Sequence, residues 1–134
     1  MPRLLVLLLL ASAGCHRYPD DTPVEAYRSL LSAVQRDDEA RLLALLSERS
    51  RAGLTHRSEA LARARGGTLQ PRPEDLLLAD PRPPAPGQVS VRSDDGRAAV
   101  LAVTAHGSVQ EVHLVREGGR WRVSIPTLET SRDG

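Results

Sequence analysis

The chain predicts an α+β domain in which N-terminal helices pack on a curved four-stranded antiparallel sheet. Three observations predict it. Apolar residues recur at helical spacing up to about residue 65, and from Gln88 onward they alternate with a period of two. The second half is also cut by tight-turn signals at Asp94-Asp95-Gly96, His106-Gly107 and Glu117-Gly118-Gly119. Helices first and strands second place a helical layer against one face of a meander. A chain of 134 residues fits one such domain.

Residues 1–14 read as an export signal. Arg3 supplies the positive charge, Leu4–Leu10 is an unbroken apolar run, and Ala11-Ser12-Ala13-Gly14 supplies small residues before Cys15. The run is far shorter than the roughly twenty residues a membrane span needs. It also lacks the polar face of an amphipathic helix. Residues 15–21 then form a short polar tether, and residues 22–126 form the domain.

Thr22-Pro23-Val24-Glu25 opens the first helix. Thr22 can cap, proline suits the first helical position, and Glu25 completes a capping box. Val24, Tyr27, Leu30, Leu31 and Val34 form one apolar face. Asp37-Asp38-Glu39 breaks the pattern and starts a second helix carrying Leu42, Leu43, Leu45 and Leu46. Three adjacent acids could ligate a metal, but without a nearby histidine or cysteine a helix cap is the simpler role.

A third helix is expected over Ser50–Arg65, with Leu54 and Leu61 as apolar points and Gly66-Gly67 as its stop. Its arginines 49, 51, 57, 63 and 65 make a solvated outer face, because the apolar face is too thin for a membrane-surface helix. Pro71–Gly87 carries six prolines and reads as an extended connection, with one helical turn at Pro73-Glu74-Asp75 dropping Leu76, Leu77 and Leu78 toward the core. Val89 and Val91 mark the first strand. Arg97–Ala105 is nearly all apolar, as in a central strand covered on both faces. Val112 and Leu114 mark the third strand, and Trp121, Val123 and Ile125 line one face of the last. Pro126 ends it, and residues 127–134 read as a flexible C-terminal tail.

Composition excludes some functions. The chain has 18 basic and 17 acidic residues, and loss of Arg3 with the signal leaves 17 of each. Every basic residue is arginine. No basic stripe of the kind nucleic-acid binding needs is present.

Ser12-Ala13-Gly14-Cys15 resembles the lipobox of bacterial lipoproteins, whose peptidase cuts between the positions of Gly14 and Cys15 once the cysteine thiol is acylated. Cys15 is the only cysteine, so an intrachain disulfide is excluded and lipidation accounts for the lone thiol. Two acyl chains on one residue suffice for stable anchoring. The expected location is therefore the bacterial cell envelope, on an outer or periplasm-facing membrane surface. Two stretches resemble the NTF2-like superfamily, particularly small bacterial lipoproteins with DUF4878-type domains. They are Thr22-Pro23-Val24-Glu25-Ala26-Tyr27 with Leu30, Leu31 and Asp37-Asp38, and Leu114-Val115-Arg116-Glu117-Gly118-Gly119-Arg120-Trp121-Arg122-Val123. The resemblance implies a cystatin-like cone with a pocket between sheet and helices, used by some members for catalysis and by many for binding.

Catalytic candidates are few. Glu111 and His113 lie two apart on one strand face and could tune a general base. That face is opposite Val112 and Leu114, so both are expected to meet solvent. His106 falls in a turn, His56 on the arginine-rich helix and His16 beside the anchor. Neither a nucleophile elbow, a phosphate loop nor metal-ligand spacing is present. No cofactor or metal is expected. The reading is a membrane-anchored, non-catalytic binding or interaction module for an envelope protein or a small apolar ligand. The alternative is a small NTF2-like hydrolase or isomerase with an acid/His pocket.

Overall fold

The computed structural model describes residues 19–67, 71–77 and 87–130. The export signal, Gly14, Cys15, His16, most of the proline-rich connection and residues 131–134 lie outside the described residues.

Helix α1 (Pro23–Gln35) begins where the cap predicts, and the Glu25 amide donates to the Thr22 hydroxyl. Its buried side includes Ala26, Ser29 and Ala33 together with Leu31 and Val34. Small residues let the helix axis approach the layer beneath, so the contact face is rotated from the stripe of large residues. Asp37 takes φ 53° and turns the chain. Asp38 then caps α2 (Glu39–Ala44) by accepting from the Arg41 amide. The acidic run is thus a helix start in the structure. Helix α3 (Glu48–Ala64) begins two residues before the expected Ser50, because Ser47 is its cap and accepts from the Ser50 amide. Its five outer arginines are all exposed. Helix α4 (Pro73–Leu77) is the single turn before the sheet, and Leu76 and Leu77 pack against the core. Arg72 grips both carboxylate oxygens of Glu39 at 2.8 and 2.9 Å, tying this turn to α2.

The sheet is an antiparallel meander in the order β1 (Gln88–Asp94), β2 (Ala98–Ala105), β3 (Ser108–Glu117), β4 (Arg120–Ser124). The β3–β4 turn takes positive φ at Gly118 and Gly119, a backbone shape that glycine adopts without steric cost. Ala99, Leu101, Val103, Leu114, Trp121 and Val123 point to the helical layer and meet Ala26, Leu46, Leu54 and Leu128 in one core. A second cluster of Ala33, Val34, Leu42 and Leu45 fills the corner between α1 and α2.

The structure departs from expectation at strand β2 and at the C-terminal tail. Strand β2 is covered on one face only among the described residues: Ala99, Leu101 and Val103 are buried while Val100, Ala102 and Thr104 are half-exposed. Its unbroken apolar run places short side chains on the open face, where alanine and valine tolerate water. Val91 is half-exposed, because β1 is an edge strand whose ladder slips at a bulge between Val91 and Ser93. The tail reading also covers a stretch whose first residues are ordered. Helix α5 (Pro126–Glu129) follows β4 directly and buries Leu128.

The β4 edge is closed by local segments. The Trp121 amide donates to the Asp20 carbonyl at 3.1 Å, Val123 donates to the Leu45 carbonyl at 2.8 Å, and Ser47 donates back to the Val123 carbonyl at 2.8 Å. Leu46 forms a parallel bridge with Val123. Edge backbone groups that would template aggregation are paired on this side.

Candidate functional site

Strand alternation puts Ala98, Val100, Ala102 and Thr104 of β2 on the sheet face away from the helices. The pairings Ala98–Val115, Val100–His113 and Ala102–Glu111 put their β3 partners on the same face. Glu111 and His113 therefore share the open face, as their spacing requires. His113 Nε2 stands 3.9 Å from Glu111 Oε2, and the side chains are 43% and 49% exposed. Arg92, across β2, binds the same carboxylate of Glu111. Both members of the pair are open to solvent, and the acid is shared with an arginine. His56 is exposed on α3, and His106 sits in the β2–β3 turn at φ 49°.

A groove of about 450 Å³ runs over this open face. Its floor is Ala98, Val100, Val115 and His113. On the β1 side stand Asp94 and Asp95 of the first turn, and on the β4 side stand Ser124, Pro126 and Glu129. Each carboxylate is held by one oxygen. Asp94 Oδ1 accepts from the Gly96 amide, and Asp95 Oδ1 accepts from the Arg97 and Ala98 amides at 2.8 and 2.7 Å. The Ala98 and Arg97 amides hold the Asp95 carboxyl below its usual range.

Glu129 is the most elaborately held acid. Its Oε1 lies 2.8 Å from the Ser124 hydroxyl and 3.0 Å from those of Ser47 and Ser50. Ser50 in turn accepts from the Ile125 amide. The N-terminus of α3, the end of β4 and α5 thus converge on one carboxylate, which also complements the dipole of α3. Burial pushes the Glu129 carboxyl up. The hydroxyls of Ser124, Ser47 and Ser50 and the charge of Arg49 outweigh it, leaving the group below its ordinary 4.5.

A second polar junction lies at the start of β4. Asp20 binds Arg120 through Oδ1 at 2.6 Å and Arg122 through Oδ2 at 2.7 Å. Burial raises this carboxyl, and the bonds and charges of Arg122 and Arg120 bring it below 3.8. The Ser29 hydroxyl donates to the Pro19 carbonyl at 2.6 Å. Residues 19–21, expected as tether, are therefore docked to α1 and β4.

Both carboxyls are depressed on folding, so their ionised forms stabilise the fold. That contribution is complete above the ordinary values of 3.8 and 4.5 and is lost as pH falls below them. Acid titration followed by circular dichroism is expected to show a plateau of stability above about pH 5. Loss of structure is then expected as Asp20 and Glu129 protonate. The variant Glu129→Gln should flatten part of that acid limb, and an unchanged acid profile would exclude Glu129 as a contributor.

Sequence reasoning singled out neither acid. Ser47, Ser50 and Ser124 reach Glu129 across separations of 82, 79 and five residues, which no local pattern encodes. Asp20 had a usable signal: Arg120 and Arg122 lie two apart on a strand and so point to one side, where an acid is needed.

Among the described residues no three His, Cys, Asp or Glu side chains gather as a metal site, and no helix is long and apolar enough to cross a membrane. No family model, curated protein or solved structure matches the chain.

Proposed function

We infer that the chain is a lipid-anchored protein of the bacterial cell envelope, cut between Gly14 and Cys15 and held by acyl groups on Cys15. Its domain is a small NTF2-like binding module without catalytic activity. The observation that carries this reading is the apolar run Leu4–Leu10 followed by small residues and the lone Cys15, and the placement of Asp20 supports a domain held close to that anchor. Five residues after the cysteine the chain is already clamped by Arg120 and Arg122, with Pro19 bonded to Ser29. Cys15 and Pro19 can then be no more than about 14 Å apart at the reach of an extended chain. A domain so closely leashed sits at the bilayer surface.

The non-catalytic part of the reading has separate support. Among the described residues, Leu46, Leu54, Leu101, Leu114 and Trp121 pack together between helices and sheet, where the resemblance implies a pocket. The acid–histidine pair lies outside that space, on the open face. The two stretches that resemble the superfamily are α1 with its cap and the β3–β4 hairpin, and Asp20 joins them through its bonds to β4.

Replacement of Cys15 by alanine tests the anchor. In a bacterial host, Cys15→Ala should abolish incorporation of labelled palmitate, leave the precursor uncut at Gly14, and shift partition away from the lipid-anchored fraction. A variant that matures and fractionates unchanged overturns the reading.

A further inference from the structure

We propose that the groove on the open sheet face binds a linear aliphatic polyamine, with one ammonium end at Asp94 and Asp95 and the other at Glu129. The proposal rests on the binding-module reading and gives that module a ligand class.

The pattern along the groove is acidic, apolar, acidic. The floor between the two acidic ends is built from the short side chains of Ala98, Val100 and Val115. A methylene chain lies on such a floor without losing hydrogen bonds, and its burial is favourable. Charge complementarity selects the ends. All three carboxylates spend one oxygen on the protein: Oδ1 in Asp94 and Asp95, Oε1 in Glu129. No other described residue donates to the second oxygen of any of them. An ammonium group has three donors and no acceptor, and it pairs with such oxygens by short charge-assisted bonds. No arginine is among the lining residues and the chain contains no lysine; Arg122, paired with Val115 on the same face, is engaged by Asp20. Arg97 and Arg49 influence Asp95 and Glu129 from outside the lining.

Geometry favours a long ligand over a compact one. The ends lie on opposite sides of the sheet, with β2 and β3 between them. Adjacent strands are about 4.8 Å apart, so the ligand must reach across several strand spacings. A single metal ion cannot touch both ends, whereas an extended polyamine can. His113, on the floor between them, offers a ring nitrogen to an internal amine. The volume of about 450 Å³ lies in the range of small-molecule sites.

Spermidine is the probe, titrated into the full mature chain in detergent micelles and followed by amide chemical shifts. Saturable shifts are expected at Ala98, Val100 and Val115, with butylamine at least about tenfold weaker because it satisfies only one end. The paired change Asp94→Asn with Asp95→Asn keeps the turn acceptors and should weaken spermidine about tenfold or more. Val100→Trp, which fills the floor, should abolish binding. Equal binding of butylamine, shifts that map elsewhere, or no saturation at millimolar spermidine overturns the site. So does saturation of the same residues by an arginine-rich peptide but not by spermidine, which would assign the groove to a protein partner. These failures leave the Cys15→Ala result standing. Conversion of spermidine to a product in the same spectra would overturn the non-catalytic reading and keep the site.

Discussion

Gly53→Ala is expected to detach α5 and to lower the melting temperature by about 10 °C or more. Gly53 is buried on α3, and a Cβ there would run into the Leu128 carbonyl oxygen and stand 2.7 Å from its carbon. Both are backbone atoms, which cannot swing aside as a flexible side chain does. Two effects compete. In a helix interior alanine is favoured over glycine by about 1 kcal/mol. Against this, α5 must lift, which exposes Leu128 and separates Glu129 from Ser47, Ser50 and Ser124. Exposing one leucine costs about 1.5–3 kcal/mol, and a hydrogen bond to a charged group is worth about 1.5–3 kcal/mol. The clash therefore wins, with a net loss of roughly 3 kcal/mol. A cycle isolates the cause. In a chain ending at Ile125 the same substitution should be neutral or slightly stabilising, because the obstructing carbonyl is gone. Equal destabilisation in both backgrounds would place the cost within α3 and reject the account.

Gly53 also marks the limit of what the sequence discloses. Read locally, a glycine inside a helix is a mild defect with no visible purpose. Its purpose is a contact 75 residues further on, at Leu128. The same limit applies to α5, where Pro126 reads correctly as the end of a strand. The helix that follows is too short to carry a periodic signal, and only its burial of Leu128 distinguishes it from a tail. By contrast, the features written in adjacent residues were legible: the Thr22 cap, the Asp38 cap, the three turns and the four-strand order. Strand β2 was misread because an apolar run is ambiguous. Alanine and valine at alternate positions satisfy a covered face and an open face alike, and only what packs against each face decides between them.

The candidate site was less legible than the fold, for a related reason. Glu111 and His113 were read correctly as outward-facing, since strand parity alone settles it. The groove they adjoin needs Asp94 from one turn and Glu129 from α5 brought to the same face. That requires the register of all four strands and the position of α5. Charge carried no hint, because acids and arginines are interspersed throughout the chain.

Asp20→Ala is the second substitution with a large expected effect, and it reports on stability and on the leash together. The Asp20 side chain is 12% exposed, Arg122 is 21% and Arg120 is 35%. Removal of one partner of a fully buried pair costs about 3–5 kcal/mol. Here both guanidinium groups retain access to water, and Arg120 keeps Asp21 at 3.3 Å, so the expected loss is about 2 kcal/mol. Arg122→Ala should cost more than Arg120→Ala, because Arg122 is the less exposed and also bonds the Trp121 carbonyl at 3.0 Å. Hydrogen exchange supplies a local readout. The Trp121 amide, which donates to the Asp20 carbonyl, should lose protection in Asp20→Ala while the amides of β2 keep theirs. If the clamp holds, the contour from Cys15 to Pro19 limits the distance between anchor and domain. If it releases, that contour extends to the Thr22 cap, adding about 10 Å of reach. On vesicles carrying the lipidated protein, energy transfer from a membrane dye to a label at Ser108 should therefore fall in Asp20→Ala. Unchanged transfer together with a lost Trp121 protection factor would mean that something other than Asp20 sets the distance between domain and bilayer.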